Sequence, residues 1–138
     1  DGTIDAVASG HAPLGLVDKQ VPFQKAEFGM MGLQTTLGVL LELVQAGRIS
    51  FACALRALTT GPAGCLRRDV PKITSGRVAD LVMFDPDIMT QFSREEFISK
   101  SCNTPFLDAA LPGRVEATWV DGRMVYEGLD RGPQEGML

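Results

Sequence analysis

The chain has 138 residues, 45% of them hydrophobic and 22% charged, with a formal net charge of −4, the balance of one ordinary globular domain with a modest core. No block of Lys or Arg marks it for nucleic acid or an anionic membrane. The longest apolar run, Val39 to Val44, is broken by Glu42 and is far too short to span a bilayer.

From the N-terminal end, "TIDAVAS", Thr3 to Ser9, is short, apolar and β-rich. Its lack of alternation predicts a strand buried on both faces, as in a parallel sheet. A sharp turn, Gly10 to Gly15, follows and holds the single histidine, His11. Residues 15 to 28 read as a polar loop with Pro22 and few regular signals. "MMGLQTTLGVLLELVQAG" predicts a long helix, with Leu33, Leu37, Leu40, Leu41 and Val44 at helical spacing and Gly47 as its stop. Ser50 is placed to cap a second helix, Phe51 to Leu58, and "TTGPAGCLRR" predicts a short third one with Pro62 at its start.

After Arg68 the character changes. Ala79 to Phe84 predicts a strand ended by Asp85-Pro86, and Ser93 is placed to cap a short helical turn, "REEF". "RVEATWVDGRMVYEG" predicts a hairpin, two β-rich arms about the tight-turn pair Asp121-Gly122. The tail from Gly128 is Gly- and Pro-rich and is expected to fray. This order leaves a single buried parallel strand without neighbours. Either the β-rich end folds back beside it, or its neighbours lie upstream in a longer chain, and the second is the expectation. The chain starts at Asp1 rather than Met, which reads as processing or as a piece of something longer.

The chemistry-bearing residues are few. Cys53, Cys65 and Cys102 form no Cys-x-x-Cys pair and no metal spacing, so reduced thiols in a cytosolic protein are expected. Nothing at the start has the pattern of a secretory leader. Cys53 and Cys65 lie on apolar helical stretches and are expected as small core residues. A hydrolytic metal site needs several donors converging on one point, and no spacing ties Asp5, Asp18 or Glu27 to His11. The plainer expectation for His11 is a turn histidine bonded to backbone or to a neighbouring element. Ser9 and His11 are poorly placed for a proton relay. "FGMMG" enters a helix start, where the backbone of Phe28 and Gly29 is a candidate contact for an anion or carboxylate, beside the alternative of close loop packing.

Taken together, "DGTIDAVASGHAP", "PFQKAEFGMMGLQTTLGVLLELV", "ALTTGPA", "GRVADLVMFDPD" and "SKSCNTPF…LPGRVEATWVDGRMVYE" resemble, in order and spacing, the C-terminal part of dihydroorotases, which belong to the amidohydrolase superfamily. The resemblance implies an α/β fold: the last strand and helices of a (β/α)8 TIM barrel plus part of a small β-sandwich. Residues 1–70 would end the barrel, 71–127 would supply the sandwich segment and a return to the barrel, and 128–138 would form the tail. It also implies the family reaction, zinc-dependent interconversion of carbamoyl aspartate and dihydroorotate in pyrimidine biosynthesis.

The matching turn in active members reads Asp-His-Ala-Pro-His. There the Asp binds metal and shuttles a proton, and the last His helps bind substrate. Here His11, Ala12 and Pro13 are retained, while Gly10 and Leu14 stand at those two positions. The resemblance therefore implies no metal ligand and no cofactor in this chain. It fits best the non-catalytic homologues that pair with aspartate transcarbamoylase. The alternatives are an active dihydroorotase, or related cyclic-amide hydrolase, with its ligands upstream, and an independent small binding domain. An upstream barrel half or further copies are the other expected partners.

Overall fold

The computed structural model describes residues 3–70 and 72–128. The expected fraying of the tail falls on residues 129–138, outside the described residues, apart from Gly128. Four helices precede a three-stranded sheet: α1 (Leu16–Lys19), α2 (Thr36–Gln45), α3 (Phe51–Leu58), α4 (Thr60–Cys65), then β1 (Leu81–Gln91), β2 (Ala110–Val120) and β3 (Arg123–Glu127). The sheet is antiparallel in the order β1-β2-β3.

Thr3–Ser9 forms no strand among the described residues, contrary to expectation. A strand needs partners for its backbone groups, and this stretch finds few here, among them a bond from Val7 N–H to the Ala57 carbonyl at 3.0 Å. The expected loop 15 to 28 also holds more order than its sequence signals. Its short helix α1 begins where Asp18 Oδ2 accepts from Gly15 N–H at 3.0 Å, and a 3-10 turn covers Phe23–Lys25.

Helix α2 is shorter than its apolar periodicity predicts. It starts at Thr36 rather than near Met30, because the chain before it is held by other bonds: Gly32 O accepts the Thr36 hydroxyl at 2.7 Å and the Thr35 hydroxyl at 3.1 Å. Its end is as expected. Gly47 sits at φ +66 and donates to Val44 O, and Arg48 N–H donates to Leu43 O, both at 2.9 Å, which closes the helix with paired carbonyls. Ser50 caps α3 by accepting from Cys53 N–H at 3.2 Å. Pro62 lies in the first turn of α4, where its missing N–H costs nothing.

Asp85-Pro86 bends β1 but does not end it. The ladder runs from Leu81↔Trp119 to Gln91↔Ala110, with the register shifting between Asp85 and Met89. Asp85 Oδ1 accepts from Asp87 N–H at 2.9 Å across the bend, so the proline sits at an irregularity where no ladder donor is needed. The expected turn after Ser93 is a single turn at 94–96, closed by Glu96 N–H on Ser93 O at 3.1 Å. The hairpin is as predicted. Asp121 and Gly122 both have positive φ, +51 and +74, the requirement of a two-residue hairpin turn whose twist matches its strands. Its tip is tied down by Asp121 N–H on Asp80 Oδ1 at 2.8 Å and Gly122 N–H on Ala79 O at 3.0 Å.

The core joins the two ends of the sequence. Met31, Phe92, Phe97 and Leu111 form its buried centre, with Val39, Cys102, Phe106 and Leu107 packed around them. Helix α2 lies on β2 through glycines on each side: a Cβ on Gly38 would meet Leu111 Cβ at 2.7 Å, and one on Gly113 would meet Leu41 Cδ1 at 2.4 Å. Cys65 is exposed, so only Cys53, half-buried, approaches the core role expected of both.

Candidate functional site

The turn that carries His11 is built from three separated pieces of chain: residues 9–14, 28–33 and 101–103. Gly10 adopts φ +60, and a Cβ there would meet nothing within 4 Å. Ala12 N–H donates to Met30 O at 2.8 Å, and His11 and Met30 form an isolated parallel bridge. The His11 ring faces the backbone just before α2. Its Nδ1 accepts from Gly32 N–H at 3.3 Å and from Leu33 N–H at 3.2 Å. The His11 backbone N–H donates to Ser9 Oγ at 3.3 Å, so the Ser9 hydroxyl serves as an acceptor for the main chain.

The third piece closes the arrangement from the sheet side. Ser101 Oγ donates to Leu14 O at 2.7 Å, Asn103 Nδ2 donates to Gly29 O at 2.9 Å, and Asn103 O accepts from Met31 N–H at 2.7 Å. Gly29 is required by this closeness: at φ +145, a Cβ there would lie 2.9 Å from both Ala12 Cβ and Ala12 O, and 3.3 Å from Leu14 Cδ1.

Among the sequence-predicted residues, His11, Ala12, Leu14 and Gly29 thus meet. The Phe28 side chain points away and is 97% exposed. Phe28 and Gly29 lie well upstream of the first helical residue, Thr36, so they form no helix start; the amides that face His11 are those of Gly32 and Leu33, in the chain leading into α2. Ser101 and Asn103 are the positioning residues that sequence reasoning missed. The available signal was the cluster of small polar residues in "SCNTP", which marks side chains suited to bonding backbone.

The residues at this turn do not fit a zinc site. Gly10 and Leu14 have no donor side chain, Asp18 is engaged in capping α1, and the described residues include no group of three or more His, Cys, Asp or Glu able to hold a metal ion. Among the described residues, clefts elsewhere include one lined by Leu41, Val44, Phe51 and Pro86 and another by Asp5, Arg56, Gly61 and Cys65. None of the described helices is long and apolar enough to cross a membrane.

With this geometry in place, comparison with known proteins is direct. The family model described as "Amidohydrolase family" matches residues 3–125. The chain belongs to the amidohydrolase family. It is 39% identical over 127 residues to the dihydroorotase of Desulforapulum autotrophicum, covering 92% of this chain and 30% of that protein. It is likewise 39% identical over 128 residues to a dihydroorotase-like protein of Pseudomonas aeruginosa, covering 93% of this chain and 30% of that one. The L-hydantoinase (dihydropyrimidinase) of Arthrobacter aurescens superposes with a TM-score of 0.80 at 30% identity, over 91% of this chain and 29% of its own. The amidohydrolase chain described here therefore spans about 30% of the length of the curated relatives it matches. Its small antiparallel sheet and preceding helices are a part of that fold, without a closed barrel.

Proposed function

We propose that this chain is the C-terminal part of a dihydroorotase-like protein of pyrimidine biosynthesis that does not catalyse and serves as a structural partner of aspartate transcarbamoylase. The observation that carries this reading is the turn at Gly10–Leu14. Its backbone is held by Ser9, Met30 and Ser101 and its His11 ring by the Gly32 and Leu33 amides, while the two positions where dihydroorotases place a metal-binding base and a substrate-binding His hold Gly10 and Leu14. A general base alone is worth about 10²–10⁴-fold in rate, and here the same position would also ligate metal. The dihydroorotase-like protein of Pseudomonas aeruginosa among the relatives agrees with this reading. On it, residues 1–70 end the barrel, 71–127 form the sandwich segment and the return to the barrel, and the protein is cytoplasmic. The exposure of Phe23 at 90% and Phe28 at 97% fits additional polypeptide covering these side chains.

A second reading, an active zinc-dependent dihydroorotase whose ligands lie upstream, is favoured by the name of the Desulforapulum relative. One experiment separates the two. The full-length protein is purified rigorously, its zinc content is measured, dihydroorotate hydrolysis is assayed, and sizing is run with and without aspartate transcarbamoylase. The first reading expects no turnover above background and co-elution with the transcarbamoylase. Zinc-dependent turnover that survives purification overturns it in favour of the second, and failure to co-elute removes the partner role.

A further inference from the structure

We infer that His11 is a latch on the backbone leading into α2, and that closing this latch takes the ring out of metal chemistry. The inference goes beyond the reading above and holds whether or not metal ligands exist elsewhere in the full-length protein.

A neutral imidazole has one in-plane lone pair and one N–H. Here Nδ1 faces two backbone donors, Gly32 N–H at 3.3 Å and Leu33 N–H at 3.2 Å. Nδ1 is therefore the acceptor and the ring proton sits on Nε2. Neither nitrogen is then available to a cation: the Nδ1 lone pair is occupied by two amides, and Nε2 carries a proton where the metal would bind. Ligation through Nε2 needs the proton moved to Nδ1, which would aim a third donor at two existing ones. Latch and ligation are thus alternatives for this ring.

The latch has a physical task. Gly32 lies in the irregular chain before α2, where no ladder supplies a partner for its N–H, and it is buried, so an unpaired donor there is costly. His11 supplies the acceptor from 21 residues away in sequence. In doing so it fixes the turn against the backbone before α2, beside the bond from Ala12 N–H to Met30 O. That explains how this turn keeps its shape around Gly10 and Leu14 with protein groups alone.

The test uses the full-length protein labelled with ¹⁵N-histidine, zinc ion as the probe, and amide exchange at Gly32 and Leu33. The His11→Asn variant identifies the His11 ring signal by its disappearance and places Oδ1 near the position of Nδ1. The His11→Gln variant places its oxygen nearer to Nε2. The expected results are an Nε2–H tautomer whose ring signals added zinc does not move, and exchange protection kept in His11→Asn. In His11→Gln, protection should fall about tenfold, the worth of one or two net hydrogen bonds. An Nδ1–H tautomer, ring signals displaced by zinc, or equal loss of protection in the two variants overturns the inference. If His11→Gln fails to fold, the wild-type tautomer and its zinc titration decide the matter.

Discussion

Gly38 sets two general rules against each other. It lies inside α2, where exchanging Gly for Ala ordinarily stabilises a helix by about 0.5–1 kcal/mol, because glycine loses the most backbone freedom on folding. Yet a Cβ at this position would sit 2.7 Å from Leu111 Cβ, 3.2 Å from Pro112 O and 3.3 Å from Leu111 Cδ1. Ordinary carbon–carbon contacts are about 3.5–4.0 Å, so the new methyl group is roughly 1 Å too close to an atom that no rotamer change can move. Leu111 is 3% exposed and part of the central cluster with Met31, Phe92 and Phe97, so the relief has to come from α2 lifting off β2.

Overpacking of this kind costs about 1–3 kcal/mol, and the contacts with Leu111 Cβ and Pro112 O, neither of which a rotamer change can move, place Gly38 in the upper half of that range. Gly38→Ala should therefore lose about 1–2 kcal/mol net, after the propensity gain is subtracted. Gly64 in α4 is the control: a Cβ there meets nothing within 4 Å, so Gly64→Ala should gain about 0.5–1 kcal/mol. Urea unfolding of the two variants and the wild-type full-length protein measures both. A Gly38→Ala midpoint at or above wild type, with an unchanged slope, would refute the packing argument.

Three further outcomes follow from single contacts. Asn103→Ala removes the donor to Gly29 O, now 2.9 Å away, and should cost about 1–2 kcal/mol, with faster amide exchange at Met31 as the local readout. Arg67 follows α4 at φ +53, a left-handed conformation costing a side chain about 1–2 kcal/mol. Arg67→Gly should raise the thermal midpoint, since Arg67 N–H and Arg68 N–H keep their bonds to Gly64 O and Ala63 O. The Glu95 carboxyl is held below the usual glutamate range by its backbone hydrogen bond first and by the Ser93 hydroxyl second. Its contribution to stability is thus present above the unfolded-state value and lost as pH falls through the folded one. An NMR titration should show Glu95 depressed in the wild type and moved upward in Ser93→Ala; an unmoved value would contradict the role of Ser93.

What could be read in the sequence was local. The Asp121-Gly122 hairpin, the Ser50 cap and the Gly47 stop each depend on residues a few positions apart, and each was found where its chemistry put it. What could not be read was decided across distance. The start of α2 depends on His11 and on Gly32 O rather than on the apolar period of Leu33 and Leu37. The passage of β1 through Asp85-Pro86 depends on β2 lying alongside with Gly113 at φ +98 opposite the bend. Thr3–Ser9 has the composition of a strand, but composition does not supply the neighbouring backbone that makes one.

The same distinction applies within the turn itself. Its bonds run through the backbone of Ala12, Leu14, Gly29, Met30 and Met31 and through the side chains of Ser9, His11, Ser101 and Asn103. None requires a side chain at position 10, where the backbone is left-handed and the space beyond is open. Asp and Asn are the non-glycine residues that tolerate this conformation best, so Gly10→Asp meets little steric resistance. Leu14 differs, because Gly10 is exposed while the Leu14 side chain is half-buried and lies over Gly29. A polar side chain there has to replace a packing contact as well as add a function. The two positions that separate this turn from the dihydroorotase pattern are therefore unequal: one is exposed with open space beyond it, and the other is half-buried over Gly29.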